Sequence, residues 1–491
     1  MKKFYTASDV GFYAAKGETI IKIQPDDVVT SVAREEAEKK GIQFVLDDAA
    51  AGNMGEGQAV QQPIRRQSAV PNLETAARQV QTERTEAPGH QSHISYPAVR
   101  ALSYKGLLSE AEVERWREEF PILKEVAHLG NCSQSAQSKR VIAGIRRYLD
   151  NWGSVGMDWD SWMEEIALAK AEFAKLIHAK PEEIAIASSV SDLVSSIANS
   201  LDYTGKRKKI VVTDMEFPTV DYVWLANQRH GAKVDFISVN ENHEIELSEY
   251  ERYIDEDTLL TSVTQVYYLN GFKQDVKAIA DIAHRKGSLI LVDAYQCLGT
   301  EPMDVKSMNI DILVSGCLKY LFGIPGVAFM YVNPGLIQDL KPSVTGWFGQ
   351  TNPFLFQTRY LDWANQTSRF DTGTPPVLNA YAVRAGLEII NEVTVPKIKD
   401  RMDMLSAHAL DGVVKRGLKT ISPFDVRKKG GTTAIVCGDK VDSHTMEKLL
   451  RERNVIGSGR GEVIRLAPHF YTKPEELDYA LDCIRDILEG R

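Results

Sequence analysis

The sequence predicts an α/β fold in which a mostly parallel sheet is buried between helices. Three observations predict it. Short apolar runs rich in β-branched residues alternate with segments of helical periodicity through most of the 491 residues. Runs 288–292, 311–314 and 327–332 lack the period-two alternation of a half-exposed strand, which is the pattern of strands covered on both faces. The first stops at Asp293, and the second leads through Ser315 and Gly316 to Lys319. An acid and a lysine therefore fall at two strand carboxyl ends, where open α/β sheets collect ligands.

That pair has a specific chemical use. Pyridoxal phosphate is held as a Schiff base on a lysine, while an acid keeps its pyridine nitrogen protonated so that the ring draws in electrons. Lys319 would carry the Schiff base and Asp293 would face the pyridinium. A lysine after an apolar run is by default a solvated surface group. What singles this one out is the order of the pieces: strand, Asp-x-x-Gln, strand, Lys-x-x-x-Gly, a glycine-containing turn and a strand. VDAYQ, GCLKYLFGIPG, RFDTGTPP and VIRLAPHFYTKPEELD look like four signatures in a family's order. Over residues 127–491 the chain resembles the class V aminotransferase superfamily, especially its kynureninase-like, isopenicillin-epimerase-like and cysteine-desulfurase-like members. The resemblance implies pyridoxal-phosphate fold type I: a large domain with a mostly parallel seven-stranded sheet, here 96–395 with an N-terminal arm, and a small C-terminal α/β domain, 396–491.

Taken in order, residues 1–48 read as a separate β–α–β unit, with TIIKI a strand, residues 28–41 a helix ending at Gly41, and IQFVL a strand. A piece this small has little core of its own, so docking on another protein or on the catalytic domain is expected. Residues 49–95 are rich in Gln, Ala, Gly, Pro, Thr and Arg, and no aromatic residue falls between Phe44 and Tyr96, so a disordered linker is expected. A short strand at 126–129 leads to a helix. In the superfamily that junction lies near the substrate, which makes Asn131, Ser133 and Gln134 candidates for substrate contact; the same residue types are also ordinary caps and turns.

Run 184–187 passes through Ser188, Ser189, Val190 and Ser191 straight into a helix. First-turn amides beside hydroxyls make a phosphate seat without a lysine, and the family binds the cofactor phosphate at this point, so Val190 and Ser191 are its candidates; a plain serine cap is the alternative. Phe217, in the Phe-Pro pair after the strand ending at Asp214, matches the ring-stacking position of kynureninase-like members, with core packing as the rival use. Tyr268 stands where members often carry an asparagine, which leaves Gln296 as the candidate for the ring hydroxyl. Trp347 and Phe348 either line the substrate pocket or pack. Thr374, in TGTP, resembles the loop that reaches a neighbouring subunit's phosphate, which implies a homodimer with shared sites. Arg465, on a strand before Ala467 and Pro468, would bind a substrate α-carboxylate with two prongs.

Composition excludes other classes. A net charge of −9 and a pI near 5.7 argue against nucleic acid as the main partner. No apolar run approaches the roughly 18 residues of a membrane span, and the N-terminus lacks an export core, so a cytoplasmic location without membrane contact is expected. Five scattered cysteines without CxxC spacing suit a reducing compartment, offer no metal site and read as small buried residues; Cys317 is the one near Lys319 in sequence. Desulfurating members carry a nucleophilic cysteine shortly before the carboxylate-binding arginine, and NVIGSGRGEVIR has none.

The expected activity is therefore pyridoxal-phosphate chemistry at the Cα of a small-molecule amino acid, with Lys319 moving the proton. Transamination comes first, as the commoner activity, and C–S or C–C lyase chemistry without an enzyme thiol second. A fold kept as a non-catalytic binding or regulatory module is the reading of another class; the joint presence of Lys319, Asp293, Gln296 and Arg465 opposes it.

Overall fold

The computed structural model describes residues 4–5, 10–11, 13–14, 16–24, 27–29, 31–46, 106–439 and 441–491. The expected linker, 49–95, lies outside them. The chain divides into two compact units, Met1–Val70 and Pro71–Arg491.

In the first unit, strands Ile20–Ile23 and Gln43–Leu46 pair in parallel, with helix Ser31–Lys40 between them in sequence. This is the expected β–α–β piece, with one correction. Val28 and Val29 do not open the helix but pair with Phe4 and Tyr5 as a strand, in keeping with the extended preference of adjacent β-branched residues. Tyr5, Val10, Ile21, Ala33, Ala37 and Ile42 form its small core.

The second unit is built on a seven-stranded sheet. Its strands are β1 (Ile184–Ala187), β2 (Lys209–Thr213), β3 (Lys233–Ile237), β4 (Thr258–Thr264), β5 (Leu289–Asp293), β6 (Ile312–Gly316) and β7 (Ala328–Val332). They lie in the order β1-β7-β6-β5-β4-β2-β3, and every pairing is parallel except the two made by β7. Period-two geometry splits the apolar residues between two cores. Ile186, Val211, Val292, Leu313 and Phe329 face one way, and Ala185, Ile210, Leu291, Ile312 and Met330 the other. Both faces are therefore covered, which is why the strands read as continuous apolar runs. β1 is an edge, and Asp371 blunts it: its Oδ1 accepts the Ile186 amide at 2.8 Å while Oδ2 pairs with Lys170 at 2.6 Å. Asp371, from the RFDTGTPP signature, is thus a structural residue.

A smaller antiparallel sheet follows, of β8 (Thr433–Val436), β9 (Ser458–Arg460) and β10 (Val463–Leu466), in the order β8-β10-β9. It packs with helices Ser443–Glu452 and Pro474–Leu488 around a core that includes Ile435, Leu450, Ile464 and Leu481. The segment Ala127–His128 pairs with Val455–Ile456, and Gly130 bridges to Ala467. The junction at residues 130–133 is thereby brought beside β10.

Candidate active site

Because β1 runs parallel to β2, β4, β5 and β6 while β7 runs against them, five strand ends and the start of β7 meet along one edge of the sheet. A cavity of about 400 Å³ opens there. Ser188–Ser191 after β1, Phe217 after β2, Thr264 of β4, Asp293 of β5, Lys319 after β6 and Ala328 of β7 all line it, and Arg465 joins from the small sheet. Eight of the residues singled out from the sequence, Lys319, Asp293, Gln296, Val190, Ser191, Phe217, Ser133 and Arg465, therefore share one cavity.

The first-turn amides are the clearest local feature. Helix Val190–Ala198 is capped by Ser189, whose hydroxyl accepts the Asp192 amide at 3.1 Å. Val190, Leu193, Val194 and Ile197 bury one stripe against the sheet, which fixes the direction of the helix start. The amides of Val190 and Ser191 donate to no protein acceptor among the described residues, and both residues line the cavity. Unpartnered first-turn amides of this kind are the geometry in which helix starts accept anions.

Lys319 and Asp293 form the charged floor. Asp293 is 3% exposed, and its Oδ1 accepts the Tyr295 amide at 2.8 Å. Burial raises its pKa, opposed by that amide and by Lys319. Lys319 is partly buried, and its Nζ lies 4.2 Å from the centroid of the Tyr295 ring and 5.7 Å from that of Phe217. Burial lowers its pKa to about 8; Asp293 opposes the shift, and Arg465 and Arg460 add to it. Behind the floor, Glu216 is 2% exposed with neither carboxylate oxygen hydrogen-bonded. Burial first, then Asp293 and Asp221, push its pKa well up.

The backbone that carries Lys319 is pinned from the other side. Phe322 adopts φ +57°, an unfavourable region for a bulky residue, and its ring is gripped by Phe120 at 4.9 Å and His469 at 4.5 Å between centroids. His469 Nδ1 accepts the Phe470 amide at 2.8 Å, so the proton lies on Nε2, which donates to the Tyr320 carbonyl at 3.0 Å. Burial lowers its pKa to about 3.

Arg465 is 1% exposed and meets only neutral oxygens: the Tyr268 carbonyl at 2.8 Å, Ser458 Oγ at 2.7 Å, Ser133 Oγ at 3.1 Å and the Ser458 carbonyl at 3.3 Å. Among the described residues no carboxylate pairs with it. The buried partners exist, but its charge is not matched. One Nη1–H stays unspent, and a second prong toward a ligand requires a serine hydroxyl to give way. Gln296 donates to the Cys132 carbonyl at 3.1 Å, and its Oε1 is buried without a partner.

Five candidates, Asn131, Gln134, Trp347, Phe348 and Thr374, do not line the cavity. Asn131 is fully buried, its amide spent on the Ala467 carbonyl at 2.8 Å and the Tyr471 hydroxyl at 2.7 Å, so its neighbour Ser133 is the residue that reaches Arg465. Trp347 packs in an aromatic cluster, 5.4 Å from Trp159 and 4.4 Å from Phe348. Thr374 is exposed on a neighbouring loop. Cys317 is fully buried and burial pushes its thiol well up, whereas Cys132, overlooked because it is remote in sequence, lines the cavity. Tyr295 and Arg460 were also overlooked. The aromatic inside VDAYQ and the arginine two residues after Ser458 were the signals for them.

Residues 129–464 match the family described as Aminotransferase class-V. The chain belongs to that family. It is 40% identical to an uncharacterized aminotransferase, YcbU, of Bacillus subtilis, over 75% of this chain and 96% of the relative. It is 26% identical to a kynureninase of Geobacillus thermodenitrificans, over 78% of this chain and 93% of that one. Among solved structures, a cysteine desulfurase of Thermococcus onnurineus superposes with a TM-score of 0.70 at 21% identity, covering 77% of this chain and 98% of the other. Membership makes this a pyridoxal-phosphate-dependent class V enzyme on an α/β fold. The unspent Val190 and Ser191 amides and the orphaned Gln296 oxygen fit such a cofactor. Among the described residues no helix is long and apolar enough to cross a membrane.

Proposed function

We propose that the chain is an aminotransferase acting on an amino acid, with Lys319 binding the cofactor and moving the Cα proton. The observation that carries this reading is a lysine with pKa lowered to about 8 in one cavity with a buried carboxylate and a buried, unmatched arginine. When bound, pyridoxal phosphate supplies an electron sink for the charge left on Cα.

The residues divide the remaining work. Val190 and Ser191 hold the phosphate through their amides. Phe217, 43% exposed toward the cavity, covers one face of the ring. Asp293 holds a protonated ring nitrogen, and Gln296 Oε1 accepts from the ring hydroxyl. Arg465 takes the α-carboxylate through Nη1, with Ser133 or Ser458 yielding its second donor. Lys319, its pKa lowered to about 8, has an accessible neutral form that accepts the Cα proton and returns it. Thr374 serves the partner's phosphate in a cytoplasmic homodimer, and sedimentation tests that assembly.

Burial pushes the thiols of Cys297, Cys317, Cys437 and Cys483 up, which argues against any of these four as a persulfide nucleophile, since the thiolate is the reactive form. The test is a set of amino acids, each supplied with and without an acceptor keto acid and scored for amino-group transfer, ammonia and sulfide. Acceptor-dependent transfer supports the reading. Ammonia or sulfide released without any acceptor dependence replaces it with a lyase.

A further inference from the structure

We infer that the cavity is built for an amino acid whose side chain ends in a second anionic group, and that Arg460 binds that group. The inference rests on the assignments of Lys319 and Arg465 above and adds the substrate class to them.

Strand register carries it. In the β9–β10 hairpin, Ser458 lies opposite Arg465, and Arg460 lies opposite Val463. Directly opposed residues of an antiparallel pair share a face, and so do residues two apart on one strand. Arg460 and Arg465 therefore leave the same face of the small sheet as diagonal neighbours, with Cβ atoms roughly 7–8 Å apart by the ordinary geometry of such pairs. Both line the cavity. The turn that fixes this hairpin passes through Gly461, at φ +55°.

The two guanidinia are otherwise unalike. Arg465 is buried and steered by four hydrogen bonds. Arg460 is exposed at the rim, and among the described residues it makes neither a side-chain hydrogen bond nor an ion pair. Like charges on neighbouring positions of one sheet face repel, and among the described residues no carboxylate pairs with either of them. Apart from these arginines, the charged residues lining the cavity are Asp293 and Lys319, both already committed to the cofactor. A substrate with one carboxylate satisfies Arg465 and leaves Arg460 idle, whereas a dianionic one engages both. Arg460 is thus a specificity determinant, and it confers preference without taking part in proton transfer.

The experiment uses the holoenzyme of the wild type, Arg460→Gln and Arg460→Lys. Calorimetric titration with succinate and with propionate, neither of which has an amine to react, should show the wild type binding the dicarboxylate about tenfold or more tightly over the monocarboxylate. Arg460→Gln should erase that preference, and Arg460→Lys should restore part of it. In turnover, the ratio of kcat/KM for L-glutamate or L-aspartate to that for L-alanine should fall about tenfold in Arg460→Gln. Cofactor affinity should stay constant; a fall in it would assign Arg460 to the cofactor phosphate and overturn the proposal. Equal binding of succinate and propionate by the wild type, or equal losses for alanine and glutamate in the variant, would overturn it too. If the wild type shows its visible Schiff-base band yet lacks the preference, the substrate class alone fails. If that band is missing, the Lys319 reading fails with it.

Discussion

The Nζ of Lys319 lies over the ring of Tyr295, 4.2 Å from its centroid, and that ring in turn rests on the bare backbone of Gly316. A Cβ built on Gly316 would stand 2.1 Å from the ring. The ring that flanks the Lys319 amine is therefore where it is because residue 316 has no side chain. Gly316→Ala must displace Tyr295, the neighbour of Asp293. Activity should fall about tenfold or more, with a stability cost of about 1–3 kcal/mol for the added methyl. Steady-state kinetics and denaturant titration check it; unchanged kinetics would detach Tyr295 from the amine's placement.

The amine itself sets a pH dependence. Only neutral Lys319 can attack the cofactor aldehyde, and burial holds its pKa to about 8. Capture of pyridoxal phosphate by the apoenzyme should accelerate as the pH rises through about 8 and level off above it. Stopped-flow absorbance measures this. A midpoint near the ordinary lysine value of about 10.4 would show that the amine is not desolvated.

Acid should weaken the fold through two histidines. His128 is 6% and His469 0% exposed, and burial lowers their pKa values from 6.5 to about 4 and about 3. Above pH 6.5 neither state binds these protons, and stability is at its full value. Below 6.5 the unfolded chain takes them up while the folded chain does not, so stability falls as pH drops toward 4, by roughly 1.4 kcal/mol per pH unit for each group. Replacing His469 with Gln, which retains a donor for the Tyr320 carbonyl, should flatten that slope in urea denaturation series.

Arg465→Lys tests the carboxylate clamp. A lysine keeps the charge but loses the planar fork and strands the Tyr268 carbonyl or a serine hydroxyl. KM for amino acids should rise by about ten- to a hundredfold, in line with a charged hydrogen bond, while amines without a carboxylate are unaffected. Equal loss for both would move Arg465 out of substrate binding.

Much of this site was legible in the sequence, for a physical reason. Strand ends in a parallel sheet are read from where apolar runs stop, so Asp293, Lys319, Ser191 and Phe217 could be placed on one edge before any contact was known. Contacts between distant segments were not legible in this way. Asn131 and Ser133 are sequence neighbours of the same polar type, and only the bridge from Gly130 to Ala467 decides that one is spent inward and the other meets Arg465. Trp347 could not be sorted between packing and substrate, because its partners Trp159 and Phe354 come from separate segments. Arg460 was hidden because an exposed arginine in a glycine-rich turn looks like any solvated charge until strand register gives it a face.

The most direct measurement is borohydride reduction of the protein loaded with pyridoxal phosphate, followed by proteolysis and mass spectrometry. The cofactor mass should appear on the peptide containing Lys319, and Lys319→Ala should lose the visible band, the label and turnover while staying folded by circular dichroism. A label on another lysine, or full activity in Lys319→Ala, would contradict the central claim.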